Sequence, residues 1–466
     1  MTISPTPRQL ARRTLLIAAS AGLATFAAPS AMAQAANGLP RTRPHRQPPV
    51  RSALNFLDSM TGAYAETLHQ PRLPQSYADE LGLFSTAFVY DSALAIVAAI
   101  PAGRLDLART IGDGLLYAQT HDPAHSDGRL RQGYNVGPYT FYDGTRNEHG
   151  LVQPDGTANI GWQFGFLGTA VGDMAWPGIA LVQLHEATGE KSYLRGAQRI
   201  ADWITTRAIN EGTLGGFSFG VDAADQRIPN VSTEHNIDSV AFFTMLHQVD
   251  GDARWLEAAN RASRLVEAMW EPAEGFFYTG SNDGSTINRH PLPLDPQTWS
   301  WLTLQEQRFA GSLDWAERTL GTTDAATSEF SELPAGFAVS GVTFSSASLT
   351  STAVYNNRQV APNGVWFEGT AQLATALTDR RAPRDRARAN QLLQELRRAQ
   401  AELGGNQHVG GTPLAPGGLV AASSLIDSGF GFGYFQIQHV GATAWYVMAE
   451  LGVNPMKLGG LAVSGT

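Results

Sequence analysis

Apolar helical patterns recur along the chain, and the connections between them alternate between short and long. Helical periodicity is predicted over 52–68, 86–100, 105–119, 173–188, 191–206, 236–249, 253–270, 296–307, 313–320, 365–377, 385–400 and 439–451. Segment 86–100 is nearly all apolar, whereas 105–119 carries Leu107, Ile111 and Leu115 on one stripe. A helix apolar on every side needs cover on every side, so the first kind belongs inside and the second outside. From inner to outer helix the connections are short, at 101–104, 189–190, 250–252, 308–312 and 378–384. From outer back to inner they are long, at 120–172, 207–235, 271–295, 321–364 and 401–438.

Two of these pairs also repeat in sequence. ATGEKSYLRGAQRIADWI from Ala187 and QVDGDARWLEAANRASRLV from Gln248 share a turn, an aromatic–leucine pair and a run of small residues. Each leads on to a glycine–phenylalanine step, Gly216-Phe217 and Gly275-Phe276. Such recurrence marks a helix hairpin whose two halves bury one another. The first helix and the last lack partners, and pairing them closes the chain into an all-α ring of six inner and six outer helices. Every long loop then lies on the face where inner helices begin, which is where a site is expected. The loops have room for local strands, as at 336–345, and GFGFG at 429–433 reads as a loop or hairpin. No βαβ rhythm and no phosphate-binding glycine loop opens a helix.

The N-terminus reads differently. Arg12 and Arg13 precede an apolar run, 15–26, and then Ala31-Met32-Ala33, which is the pattern of a secretory signal peptide over 1–33. The paired arginines resemble a twin-arginine signal, although Leu15 stands where phenylalanine is commoner, so the general secretory route stays open. The run falls short of the about 20 residues that span a membrane. With no cysteine in 466 residues the chain suits an oxidising compartment, and export to the periplasm or medium is expected. An extended leader is predicted over 34–50, one toroidal domain over 51–456 and a flexible tail over 457–466. A formal charge of -9 argues against a nucleic-acid partner. A monomer or weak homodimer is expected.

The mouths of the inner helices carry the chemistry. In order they offer Tyr90 and Asp91; Asp173 and Trp176, after Trp162 and Gln163 in the preceding loop; Glu234, His235, Asn236 and Asp238; Asp295, Gln297 and Trp299; Trp366 and Glu368; Gln438 and His439. Carboxylates and tryptophans converging on one funnel suit carbohydrate, since rings stack on indoles while acids and amides read hydroxyls. Glycoside hydrolysis needs one protonated and one ionised carboxyl across the glycosidic oxygen. Glu234, placed just before its helix among other carboxylates, is the first choice for general acid. Glu368 and Asp173 are favoured as base or water-positioning groups, with Asp91 and Asp238 holding hydroxyls. The loop holding Tyr139, Tyr142 and Asp143 is expected to wall or cover the cleft, with Asp143 touching substrate. No cofactor or metal is expected, because His235 and His439 lack a zinc-type spacing.

The openings FVYDSALAI, TEHNIDSVAFF and GVWFEGTAQLA, set in this alternation, resemble the (α/α)6 toroid of several glycoside hydrolase families, some phosphorylases and transglycosylases, and certain epimerases and lyases. The resemblance spans about 51–452 and carries architecture more than substrate. It implies a hydrolase or transglycosylase acting on an oligosaccharide or polysaccharide such as a glucan, with acid and base on the helix mouths. A phosphorylase is disfavoured for want of a basic cluster. The alternatives are a lyase or epimerase, with Tyr or His as base and Arg129, Arg131, Arg146 or Arg289 neutralising a uronate, and a non-catalytic glycan-binding envelope protein.

Overall fold

A computed structural model describes residues 48–162 and 165–459. The expected signal peptide, the expected leader up to residue 47, Gln163 and the expected tail from residue 460 lie outside the described residues. Twelve α-helices carry the fold: α1 Pro48–Gly62, α2 Val89–Ala99, α3 Leu105–Thr120, α4 Val171–Thr188, α5 Lys191–Arg207 and α6 Thr233–Asp250, followed by α7 Ala253–Ala268, α8 Asp295–Leu304, α9 Gly311–Leu320, α10 Phe367–Arg380, α11 Asp385–Glu402 and α12 Val440–Leu451. The even-numbered helices form the inner ring. Each packs on the next, and α12 packs on α2 to close the circle. The odd-numbered helices lie outside, each on the inner helix before it, and α1 covers α12. The chain is thus an all-α (α/α)6 toroid with short β-elements confined to its loops.

Several boundaries differ from the sequence reading. Helix α1 starts at Pro48, inside the expected leader, because two prolines suit a first helical turn and Val50 is buried. Helix α6 starts at Thr233, since Ser232 Oγ accepts the His235 N–H at 3.2 Å and caps it, and this carries Glu234 into the first turn instead of the loop. Lys457 is tied down at the start of the expected tail, donating from Nζ to the Thr303 carbonyl at 2.5 Å. The segment Ala338–Val342 pairs with Gly321–Ala325, and GFGFG does close a hairpin, joining Ile426–Asp427 to Gly433–Tyr434.

The sequence repeat has a physical counterpart at both ends of each hairpin. At one end, His185 Nδ1 lies 3.0 Å from the Glu190 carbonyl and His247 Nδ1 2.9 Å from that of Asp252, across turns whose glycines, Gly189 and Gly251, both have φ of 74°. At the other, an inner-helix amide clamps the returning loop. Asn236 accepts the Phe217 N–H at 2.9 Å and donates to its carbonyl at 3.0 Å; Gln297 does the same for Phe277 at 2.8 and 2.9 Å. Both amides also donate to the carbonyl four residues back, Ser232 and Pro293. Asn236, expected to bind substrate, is a fully buried clamp on the returning loop and is not among the cavity-lining residues. Replacing Asn236 with Ala strands two buried backbone groups, at about 1–3 kcal/mol each. A denaturant midpoint lowered to match, with an unchanged slope, is the expected result.

Candidate active site

Every inner helix sends side chains from its N-terminal end into one cavity of about 620 Å³, within the usual range for small-molecule sites. These are Tyr90 and Asp91 from α2, Asp173 and Trp176 from α4, Glu234, His235 and Asp238 from α6, Asp295 and Trp299 from α8, Glu368 from α10 with Trp366 just before it, and His439 at the cap of α12. Loop residues including Tyr77, Phe88, Phe344, Tyr355, Phe432 and Tyr434 complete the lining. Among the described lining residues there is no lysine or arginine.

Hydrogen bonds organise one side. Tyr90 donates its hydroxyl to Glu368 Oε1 at 2.6 Å and receives the Trp445 indole N–H at 3.1 Å. His439 stacks on Tyr77 with ring centroids 4.1 Å apart, places Nε2 3.0 Å from Asp91 Oδ1, and holds Nδ1 3.6 Å from Glu368 Oε2. In its neutral form that Nδ1 accepts the Ala442 N–H at 3.3 Å. Beneath lies an aromatic floor in which Trp176 meets Trp299 edge-on at 5.3 Å and Tyr90 at 5.5 Å. Other lining groups lack such partners. Both Asp238 carboxylate oxygens, His235 Nδ1 and the indole nitrogens of Trp176, Trp299 and Trp366 are buried with no hydrogen-bond partner among the described residues.

Burial dominates the electrostatics. It pushes Asp173 up to about 7 against a hydrogen bond from Gln132, Asp295 up to about 7 against one from Gln372, and Glu368 up to about 8 against His439 and Tyr90. Glu234 is raised well above the carboxylate range by burial and then by Asp295, Asp173 and Glu368. Asp238 follows for the same reason, its nearest charge being Glu234; the Trp176 indole pulls the other way without reaching a formed hydrogen bond. Burial holds the His235 ring down at about 4 and so neutral. It opposes charge on His439 too, but Asp91 and Glu368 outweigh it and raise that histidine.

The expected site residues divide accordingly. Tyr90, Asp91, Asp173, Trp176, Glu234, His235, Asp238, Trp299, Trp366, Glu368 and His439 share the cavity. Asp143 does not: it is exposed and caps a local turn, accepting the Thr145 N–H at 2.8 Å. Trp162 is 48% exposed and lies outside near Phe141, because its loop packs on the Phe84 region instead of entering the cavity. The proposed uronate arginines are occupied or remote. Arg129 binds Asp127 and Asp225, Arg131 binds Asp122, Arg146 faces Glu148 on the surface, and Arg289 donates to Tyr278. Asp295 stood among the helix mouths without an assigned role, and its position at the first turn of α8 was the signal for it. Tyr77 and Tyr434 come from loops whose course no local pattern predicts.

No family model matches the chain, and no curated protein matches it in sequence. Among solved structures it is similar to a cellobiose 2-epimerase from Bacillus thermoamylovorans B4167, with a TM-score of 0.54 and 10% identity over 86% of this chain and 98% of that one. A glycosidase variant in complex with glucose gives a TM-score of 0.52 and 12% identity over 86% of this chain and 96% of that one. A sugar epimerase from a ruminal bacterium gives 0.52 and 10% over 86% and 97%. What is shared is the fold: the chain is an (α/α)6 toroid like those of these carbohydrate-active proteins.

Two outcomes follow from the cavity's protons. A carboxyl whose folded pKa is raised holds its proton more tightly when folded. Its stabilisation is full below the unfolded value near 4 and is lost as pH rises through the folded value. For Asp173, Asp295 and Glu368 that loss ends near pH 7–8. His439, also raised, acts in the same sense, its share being full below about 6.5. The urea midpoint should therefore fall between pH 5 and pH 9, and Glu368→Gln should flatten that fall. Separately, a Cβ on Gly441 would stand 2.6 Å from Asp91 Oδ1, 2.8 Å from His439 Cε1 and 2.9 Å from Glu368 Oε2. Gly441→Ala should separate this trio, and NMR titration of the His439 ring should show its pKa falling while helix content holds.

Proposed function

We propose that the chain is an exported glycoside hydrolase or transglycosylase acting on a glucan or a close relative of one. The observation that carries this is the convergence of six carboxyl groups and three unpartnered indole N–H groups on one cavity at the helix mouths. A polyhydroxyl ligand supplies both the donors and the acceptors these groups lack. In this reading Glu234 is the general acid. It is raised well above the carboxylate range by burial and then by its acidic neighbours, so it is protonated near neutral pH and can hand its proton to the glycosidic oxygen as that bond breaks. In its ionised form, which His439 and Tyr90 favour against burial, Glu368 takes the proton of an attacking water or attacks the anomeric carbon itself, according to its separation from Glu234. Asp173, Asp238 and Asp295 hold hydroxyls. Asp173 yields first place as base because Glu368 has two groups to orient it.

A second reading, sugar epimerisation, has one observation in its favour. His235 is neutral with a free Nδ1 in the cavity, as a base that removes a proton beside a carbonyl must be. Chromatography of products separates the two. Shortened or transferred chains with new reducing ends support the first reading; an epimer of unchanged length, with no new ends, replaces it by the second. Glu234→Gln should keep the fold and lose turnover by about 100-fold or more. Full turnover in that variant would remove Glu234 from the acid's role.

A further inference from the structure

This inference rests on the sugar-acting reading and narrows its substrate class. We propose that the cavity beside Asp238, over the floor of Tyr90, Trp176 and Trp299, is a subsite for a protonated amine, so that the substrate is a glycan carrying free amino sugars.

Charge balance is the first ground. Six carboxyl groups line the cavity, and no lysine or arginine stands among the described lining residues to answer them. The one histidine near enough to be charged is committed to Asp91 at 3.0 Å. Asp238 is 1% exposed, yet neither of its oxygens has a hydrogen-bond partner among the described residues. Standing alone, this carboxyl is kept protonated by burial, and a donor bearing positive charge is the partner that best lets it ionise there.

The second ground is independent of charge count. Trp176 meets Trp299 and Tyr90 edge to face at 5.3 and 5.5 Å, and Tyr90 lies tilted against Trp299 at 6.3 Å, all three lining the cavity. Aromatic faces attract an ammonium electrostatically, more so where water is excluded. The indole N–H groups of Trp299 and Trp366, which only donate, meanwhile call for acceptors. An amino sugar offers both: an ammonium for the carboxyls and ring faces, and hydroxyl oxygens for the indoles. A uronate offers the wrong sign.

Calorimetric binding of the mature chain to glucosamine oligomers, their N-acetylated counterparts and glucose oligomers of equal length tests this at pH 6. The glucosamine oligomers should bind about tenfold or more tightly than either neutral series. Asp238→Asn should erase that preference, the glucosamine oligomers falling to the affinity that the same variant shows for the neutral series. Equal or tighter binding of the neutral oligomers by the wild type, or a preference that survives in Asp238→Asn, overturns the inference. Turnover of a neutral glucan without any such preference would sink the amine subsite and leave the glycosidase reading standing. Failure of all three series to bind would sink both.

Discussion

Convergence of six inner-helix N-termini on one cavity is the constraint from which the rest of this molecule follows. Each N-terminus presents unpaired N–H groups and a partial positive charge, worth about 0.3–1 kcal/mol to a nearby anion. Acids are therefore favoured there one at a time. Brought together by closure of the ring, however, they repel one another and lose water, and burial then outweighs the dipole for Asp173, Asp238, Asp295 and Glu368. The fold that gathers the carboxyls is the same fold that keeps several of them protonated.

Within that shared pool the groups are differentiated by their neighbours. Glu368 is the most constrained, with a phenol at 2.6 Å and an imidazole at 3.6 Å. Asp238 is the least, with no bond to either oxygen. Such a spread of environments is how chemically identical side chains take up different tasks in one site. His235 and His439 show the same divergence: one packs against Phe219 and is kept neutral by burial, the other lies between two acids and is kept available for charge.

The architecture was legible because it is written in periodicity and in connection length, both local quantities. Inner helices such as α2 are buried on nearly every side, and α3 is buried on one stripe, as their patterns imply. Helix starts were less legible. Ser232 and Thr233 both have the side chain for a cap, and only the His235 N–H bond to Ser232 Oγ selects between them, while α1 owes its early start to packing against a helix almost four hundred residues away in sequence. Site residues on the helix mouths could be named because the ring forces mouths together. Those on loops could not: Asp143 and Trp162 look like cavity residues by type, but the path of their loop is set by Phe84, Tyr139 and Tyr142 packing on one another. Asn236 was misread for a related reason, since a polar residue at a mouth serves equally well as a clamp on Phe217.

The seat of α1 against α12 has a consequence for how the molecule comes into being. Helix α1 can find its partner only after α12 has been made. Each inner–outer pair in between can pack as it appears, but the ring stays open, and the cavity lacks His439, until α12 is in place. Maturation is thus a single late event in which closure and assembly of the binding chamber coincide. A nascent chain ending between α10 and α12 would carry all six acids and no closed chamber to hold them in.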